Sequence, residues 1–166
     1  SRKSIFEGYK ACLIKNNIDY DENLVKILDS SSYTTKMGVQ EQAEFLVKEI
    51  MKNDILPTAI FCLNDLLAIW VIRELEKCGF IVPDDISVIG FDNIDMGEFV
   101  NPKLSTIDQC ASEMGAIAAD MLVSSLKGIK RQSVTIYMEP KLVARESTAS
   151  HNFRKGKITT QSKFKK

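Results

Sequence analysis

Residues 57–93 read PTAIFCLNDLLAIWVIRELEKCGFIVPDDISVIGFDN, followed by an irregular segment, IDMGEFVNPK (94–103), and then LSTIDQ (104–109). Thr58 to Leu63 is a short, continuous apolar run of the kind shown by a parallel strand covered on both faces. Asn64-Asp65 stops it, and a helical pattern follows at once and ends at Gly79. Pro83-Asp84-Asp85 makes a turn, and Ile86 to Phe91 is a second buried strand ending on Asp92-Asn93. Both strands finish on polar pairs. In open α/β sheets ligands bind outside the carboxyl ends of the strands, so Asn64 and Asp92 are expected at one crevice.

Working outward, Ile5, Tyr9, Cys12 and Leu13 recur at helical spacing and predict an amphipathic helix over 4–16, closed by Asn16-Asn17. Leu24 to Leu28 reads as a strand. The polar loop 29–36 follows, placing Tyr33 just past that strand's carboxyl end. Val39, Ala43, Leu46 and Ile50 mark a second helix from Gly38 to about Lys52. The alternation of strands and helices predicts a parallel sheet with right-handed crossovers and helices on both faces. Beyond Gln109, Met114, Ile117, Ala118, Met121 and Leu122 predict a helix ending near Gly128. Ser133–Met138 and Lys141–Ser147 read as further strands, and from His151 the chain is polar and basic, a solvated tail.

On a 3.6-residue period, the helix after Asp65 places Leu67, Val71, Leu75 and Cys78 on one face, enough to cover a sheet. Leu66, Ile69 and Trp70 fall on the opposite face with Arg73 and Lys77, and a second apolar face needs a partner. Another helix of the same chain would satisfy it. The tryptophan beside an arginine favours a subunit contact, because these two types are enriched at interface hot spots.

Composition bounds what such a fold can do. The chain has 166 residues, 45% of them apolar, enough for one domain with a sizeable core. Its 22 basic and 22 acidic residues cancel, so the chain by itself lacks the excess positive charge that phosphate binding exploits. No apolar run approaches the length of a membrane span. The start carries neither a signal-peptide core nor a methionine, so the chain is expected to begin in mid-protein. Cys12, Cys62, Cys78 and Cys110 are widely spaced and read as reduced thiols of a cytoplasmic protein. The single histidine, His151, lies at the start of the basic tail, where a Ser-His-Asp or Cys-His device cannot use it. No phosphate-loop motif and no Cys/His cluster for zinc is present, and Asp84-Asp85 after Pro83 reads as a turn rather than a catalytic pair.

What remains is a binding set. Asn64 offers donors and an acceptor, Asp92 accepts, and Tyr33 offers a stacking face, which suits a sugar or nucleobase. Asp65 reads as the cap of the helix it precedes, and Asn64 and Asp92 are also explicable as cap and turn residues.

Five ordered stretches resemble one family: Pro57 to Phe61, Asn64-Asp65, Val82 to Asn93, Pro102-x-Leu104-Ser105-Thr106-Ile107 and Arg145-Glu146-Ser147. Together they resemble the effector-binding domain of LacI/GalR-type transcription regulators, over Ser4 to Ser147. The resemblance implies an α/β fold, a three-layer α/β/α lobe of the type 1 periplasmic-binding-protein fold (flavodoxin-like) plus part of a second lobe. Residues 1–109 would form the carboxyl-terminal lobe with a returning strand at 139–149. Residues 110–138 would belong to the other, largely absent lobe, and 150–166 would be a flexible basic tail. It implies effector contacts at Tyr33, Asn64, Asp92 and Gln109 and a homodimer contact through Leu66, Ile69, Trp70, Arg73 and Val100. No cofactor, metal or catalysis is implied. DNA would be engaged only through a helix-turn-helix outside this chain. A periplasmic sugar receptor of the same fold is the alternative. One departure stands out: where many members carry an arginine three residues before the first helix's glycine, this chain has Ile5 before Gly8, which offers a ligand no donor.

Overall fold

A computed structural model describes residues 2–28, 37–128 and 134–150. Tyr33 with its loop, the first residue of the strand expected from Ser133, and the basic stretch from His151 lie outside the described residues.

The sheet forms where the apolar runs predicted it. β1 (Ala59–Phe61) and β2 (Ser87–Ile89) pair in parallel, with Ala59 opposite Ser87 and Phe61 opposite Ile89. The pairing continues past the strand ends: Cys62 N–H donates to Ile89 O and Asp65 N–H to Phe91 O, both at 2.9 Å. β3 (Thr106–Asp108) lies on the other side of β2, through a parallel bridge between Ile89 and Ser105 and bonds from Gly90 N–H to Ser105 O and Asp92 N–H to Ile107 O. β4 (Lys141–Val143) then returns antiparallel to β3, so the parallel sheet gains one antiparallel edge. After β4 the chain turns back to the sheet, where Ser147 accepts from Val88 N–H and its hydroxyl donates to Val88 O.

Among the described residues four α-helices accompany these strands: α1 (Arg2–Lys15), α2 (Val39–Ile50), α3 (Asp65–Lys77) and α4 (Ala111–Leu126). α2 opens with Glu41 accepting from the Gly38 N–H, half of a capping box, and buries Ala43, Leu46, Val47 and Ile50. α3 stops at Gly79, whose φ of 82° is the left-handed conformation that ends helices. Asp85 then closes the turn before β2 by accepting from Ile81 N–H, as expected of a turn aspartate. Side chains of α2, α3, β1 and β2 join Leu56, Phe80, Val82, Ile86 and Leu104 in one core.

Several expectations require correction. The buried arc of α3 is wider than one sheet-facing stripe. It runs from Val71 and Leu75 through Ala68 and Ile72 to Ile69, because the helix packs against α2 as well as β2. Ile69, expected on an outward face, is only 6% exposed, and Leu67 is half-buried rather than central. The outer face narrows to Leu66, half-buried Trp70 and Arg73, whose guanidinium carbon lies 5.9 Å from the Trp70 ring centre. Val100 is half-buried and packs against the core.

Leu24–Leu28 does not form a strand. The Asp21 carboxylate accepts from Asn23 N–H and tightens 22–24 into a 3₁₀ turn, and the extended residues after it find no ladder among the described residues. Residues 134–138 likewise find no ladder among the described residues, with Tyr137 91% exposed. The helix expected beyond Gln109 forms as α4, but buries none of its side chains among the described residues.

Candidate functional site

Because β1, β2 and β3 run in the same direction, their carboxyl ends lie side by side, and the polar residues that end each apolar run are brought together. Asn64 stands at the end of β1, Asp92 and Asn93 beyond β2, and Gln109 one residue past β3. Asp92 N–H bonds to Ile107 O, and the Gln109 side-chain amide donates to the Asp92 carboxylate. Asp92 is exposed, whereas Asn64 and Gln109 are half-buried. At the same end of the sheet, Phe61 and Phe91 meet edge to face with ring centres 6.2 Å apart, an apolar surface beside polar groups.

The adjacent pair Asn64-Asp65 divides its work differently from the expectation. Asn64, not Asp65, is the cap of α3: its side-chain oxygen accepts from Leu67 N–H at 2.8 Å. Among the described residues the Asn64 amide NH₂ has no hydrogen-bond partner and can donate outward. Asp65 is fully buried. One of its carboxylate oxygens accepts from the Thr106 hydroxyl at 2.5 Å and the other from Ile94 N–H at 2.9 Å. A Cβ on Gly90 would meet that carboxylate at 2.1 Å, so the β2 end needs a glycine to admit it. The Cys62 thiol nearby is pushed up to about 12, by burial first and by the Asp65 charge second, which leaves it protonated and inert.

Around Asp92 the backbone is held in an unusual shape. Asp92 has φ 119° and Asn93 φ 56°, two consecutive non-glycine residues on the positive side. Asn93 donates through its amide to Asp108 at 3.2 Å and accepts from the Arg145 guanidinium at 2.9 Å. Arg145 also reaches Leu104 O and Glu98. Sequence reasoning quoted Asn93 and Arg145 as parts of motifs but gave them no role. The two lie 52 residues apart in the chain, beyond any local pattern.

Chemically the arrangement presents donors and acceptors without a nucleophile activated by a base, and the described residues hold no group of three or more potential metal ligands. It can recognise hydroxyl or amide groups.

Residues 2–148 match a family model described as a periplasmic binding protein-like domain. The HTH-type transcriptional repressor PurR of Vibrio atlanticus (strain LGP32) is 32% identical over 145 residues, covering 87% of this chain and 41% of that protein. Among solved structures, a LacI family transcriptional regulator from Enterococcus faecium with bound ribose superposes with a TM-score of 0.73 at 31% identity, over 89% of this chain and 51% of that one. A transcriptional regulator CelR–cellobiose complex does so with a TM-score of 0.72 at 26% identity, over 86% of this chain and 41% of that one. The chain thus spans about half the length, or less, of these relatives.

Proposed function

We propose, because this chain belongs to the periplasmic binding protein-like domain family as an effector-binding domain of LacI/GalR type, that it senses a small polar effector for a transcription regulator. The observation that carries this reading is that Asn64, Asp92 and Gln109 stand at the ends of three adjacent parallel strands, Gln109 bonded to Asp92, offering donors and acceptors. A sugar is the ligand class that fits. Its hydroxyls pair with a carboxylate and two amides, and the neighbouring structures named above hold ribose and cellobiose. The effector would bias the closure of two lobes, and with it the geometry of a DNA-reading helix-turn-helix, as a shift in populations rather than a reaction. Residues 1–109 with 139–149 form the sensing lobe, and 110–138 belong to the second.

A homodimer is part of the same reading. Leu66, half-buried Trp70 and Arg73 remain on the outer face of α3, with the Arg73 guanidinium carbon 5.9 Å from the Trp70 ring centre, residue types that pair with a second copy. Calorimetric titration of the intact regulator with ribose and cellobiose tests the ligand class. Binding of either sugar that is lost in Asp92→Ala is the expected result, and affinity unchanged by that substitution would overturn the site assignment.

A further inference from the structure

Asp92, which the proposed function makes an effector contact, sits in a backbone conformation that a side-chain-bearing residue adopts only under constraint. Glycine would take φ 119° freely, yet the position holds an aspartate, so the surrounding bonds must impose the shape. The constraints are all visible. Upstream, Asp92 N–H is tied to Ile107 O at 2.9 Å. Downstream, Ile94 N–H is tied to buried Asp65 at 2.9 Å. Between them Asn93 donates from its backbone to Thr106 and from its side chain to Asp108, and accepts from Arg145. Arg145 is itself fixed. Its side chain is 11% exposed, its Nη1 donates to Leu104 O at 2.8 Å, its Nη2 also reaches Glu98 at 3.0 Å, and its backbone N–H donates to the Ser105 hydroxyl. A planar fork held at three points is a rigid support for whatever it touches.

We infer that Asn93 and Arg145 are positioning residues of the effector site, a bridge that holds Asp92 in its strained turn and so aims the carboxylate at the crevice and at Gln109. Neither needs to touch the ligand. The inference rests on the reading of Asp92 as an effector contact, and adds which distant residues set its direction.

The test uses the full 166-residue chain and compares Asn93→Gly, Arg145→Gln and the double substitution with the parent. Glycine accepts φ 56° without strain, so Asn93→Gly keeps the turn while deleting the bridge. The first readout is the Gln109 side-chain amide pair in a nitrogen–proton spectrum, with Asp92→Ala marking the position it takes when its bond to Asp92 is absent. In both single variants the pair is expected to move toward that position while the thermal midpoint of Asn93→Gly stays near the parent's. The second readout is ribose binding, expected to weaken about tenfold, the effect of one hydrogen bond, with the double variant no worse than the poorer single because both act through one bridge. A Gln109 pair unmoved in both singles would overturn the inference, and so would additive losses in the double. Should this chain take up no ribose, the amide pair alone decides the positioning role, and the ligand class is left to the intact regulator. Should Arg145→Gln not fold, Asn93→Gly decides it.

Discussion

Substituting Asp65 is the sharpest test of how this fold holds its site. In Asp65→Ala, two partners lose their acceptor at once: the fully buried Thr106 hydroxyl and the half-buried Ile94 N–H. A bond to a charged acceptor is worth about 1.5 to 3 kcal/mol; with one donor fully buried and the other half-buried, the loss should total about 3 to 5 kcal/mol, somewhat under twice the upper value. With a urea slope near 2 kcal/mol per molar, the unfolding midpoint should fall by roughly 2 M. Trp70, the only tryptophan and half-buried against the core, reports the transition by fluorescence. Asp65→Asn should be milder, about 1 to 2 kcal/mol, since one oxygen still serves Ile94 while Thr106 must turn from donor to acceptor. A midpoint shift below about 0.3 M for Asp65→Ala would refute the reasoning, because the site's inner scaffold would then not depend on this carboxylate.

Three further outcomes follow from the same geometry. Asn64→Asp keeps an acceptor for Leu67 N–H and should leave stability intact while weakening sugar binding, whereas Asn64→Ala should lose both, the cap costing about 1 kcal/mol; equal stability losses would return Asn64 to a purely structural role. Leu66→Glu alters a residue 39% exposed in the first turn of α3, where negative charge suits the helix, so the chain should stay folded while light scattering reports a monomer in place of a dimer. A parent that is monomeric at high concentration would remove the dimer reading. Exposed Cys12 should react with a maleimide in the native protein, while Cys62, fully buried with its thiol pushed up to about 12, should react only on unfolding, as mass spectrometry of labelled peptides would show.

How much of this was legible beforehand depends on the range of each interaction. β1, β2 and the helix between them follow from local features: an apolar run, a polar stop, a glycine in the left-handed conformation at 79. The cap was ambiguous in sequence because Asn and Asp are equally good caps. The choice fell to tertiary structure: Asp65 N–H reaches Phe91 O, which turns Asp65 inward toward Thr106 and leaves Asn64 to close the helix. A 3.6-residue period with one covering layer puts Ile69 outward. With α2 packed along α3, two sides of the helix are buried and the inward arc widens to include it. Leu24–Leu28 shows the converse, since strand-like composition finds no neighbour among the described residues to complete a ladder.

The positioning of Asp92 lay outside sequence reading for a reason of direction. β1 to β3 run in parallel, so their polar ends meet and can be matched by eye in the sequence. Arg145 follows a strand that runs the other way: Lys141 lies opposite Asp108 and Val143 opposite Thr106. By position 145 the chain has therefore moved back toward Leu104, away from the crevice, and only the length of the arginine side chain returns it to Asn93. A shorter cation could satisfy Leu104 O or Asn93 but not both together with Glu98, which is the physical ground for expecting an arginine fork at 145. The Asp92–Asn93 turn is thus braced from beneath by a residue whose own strand points away from it.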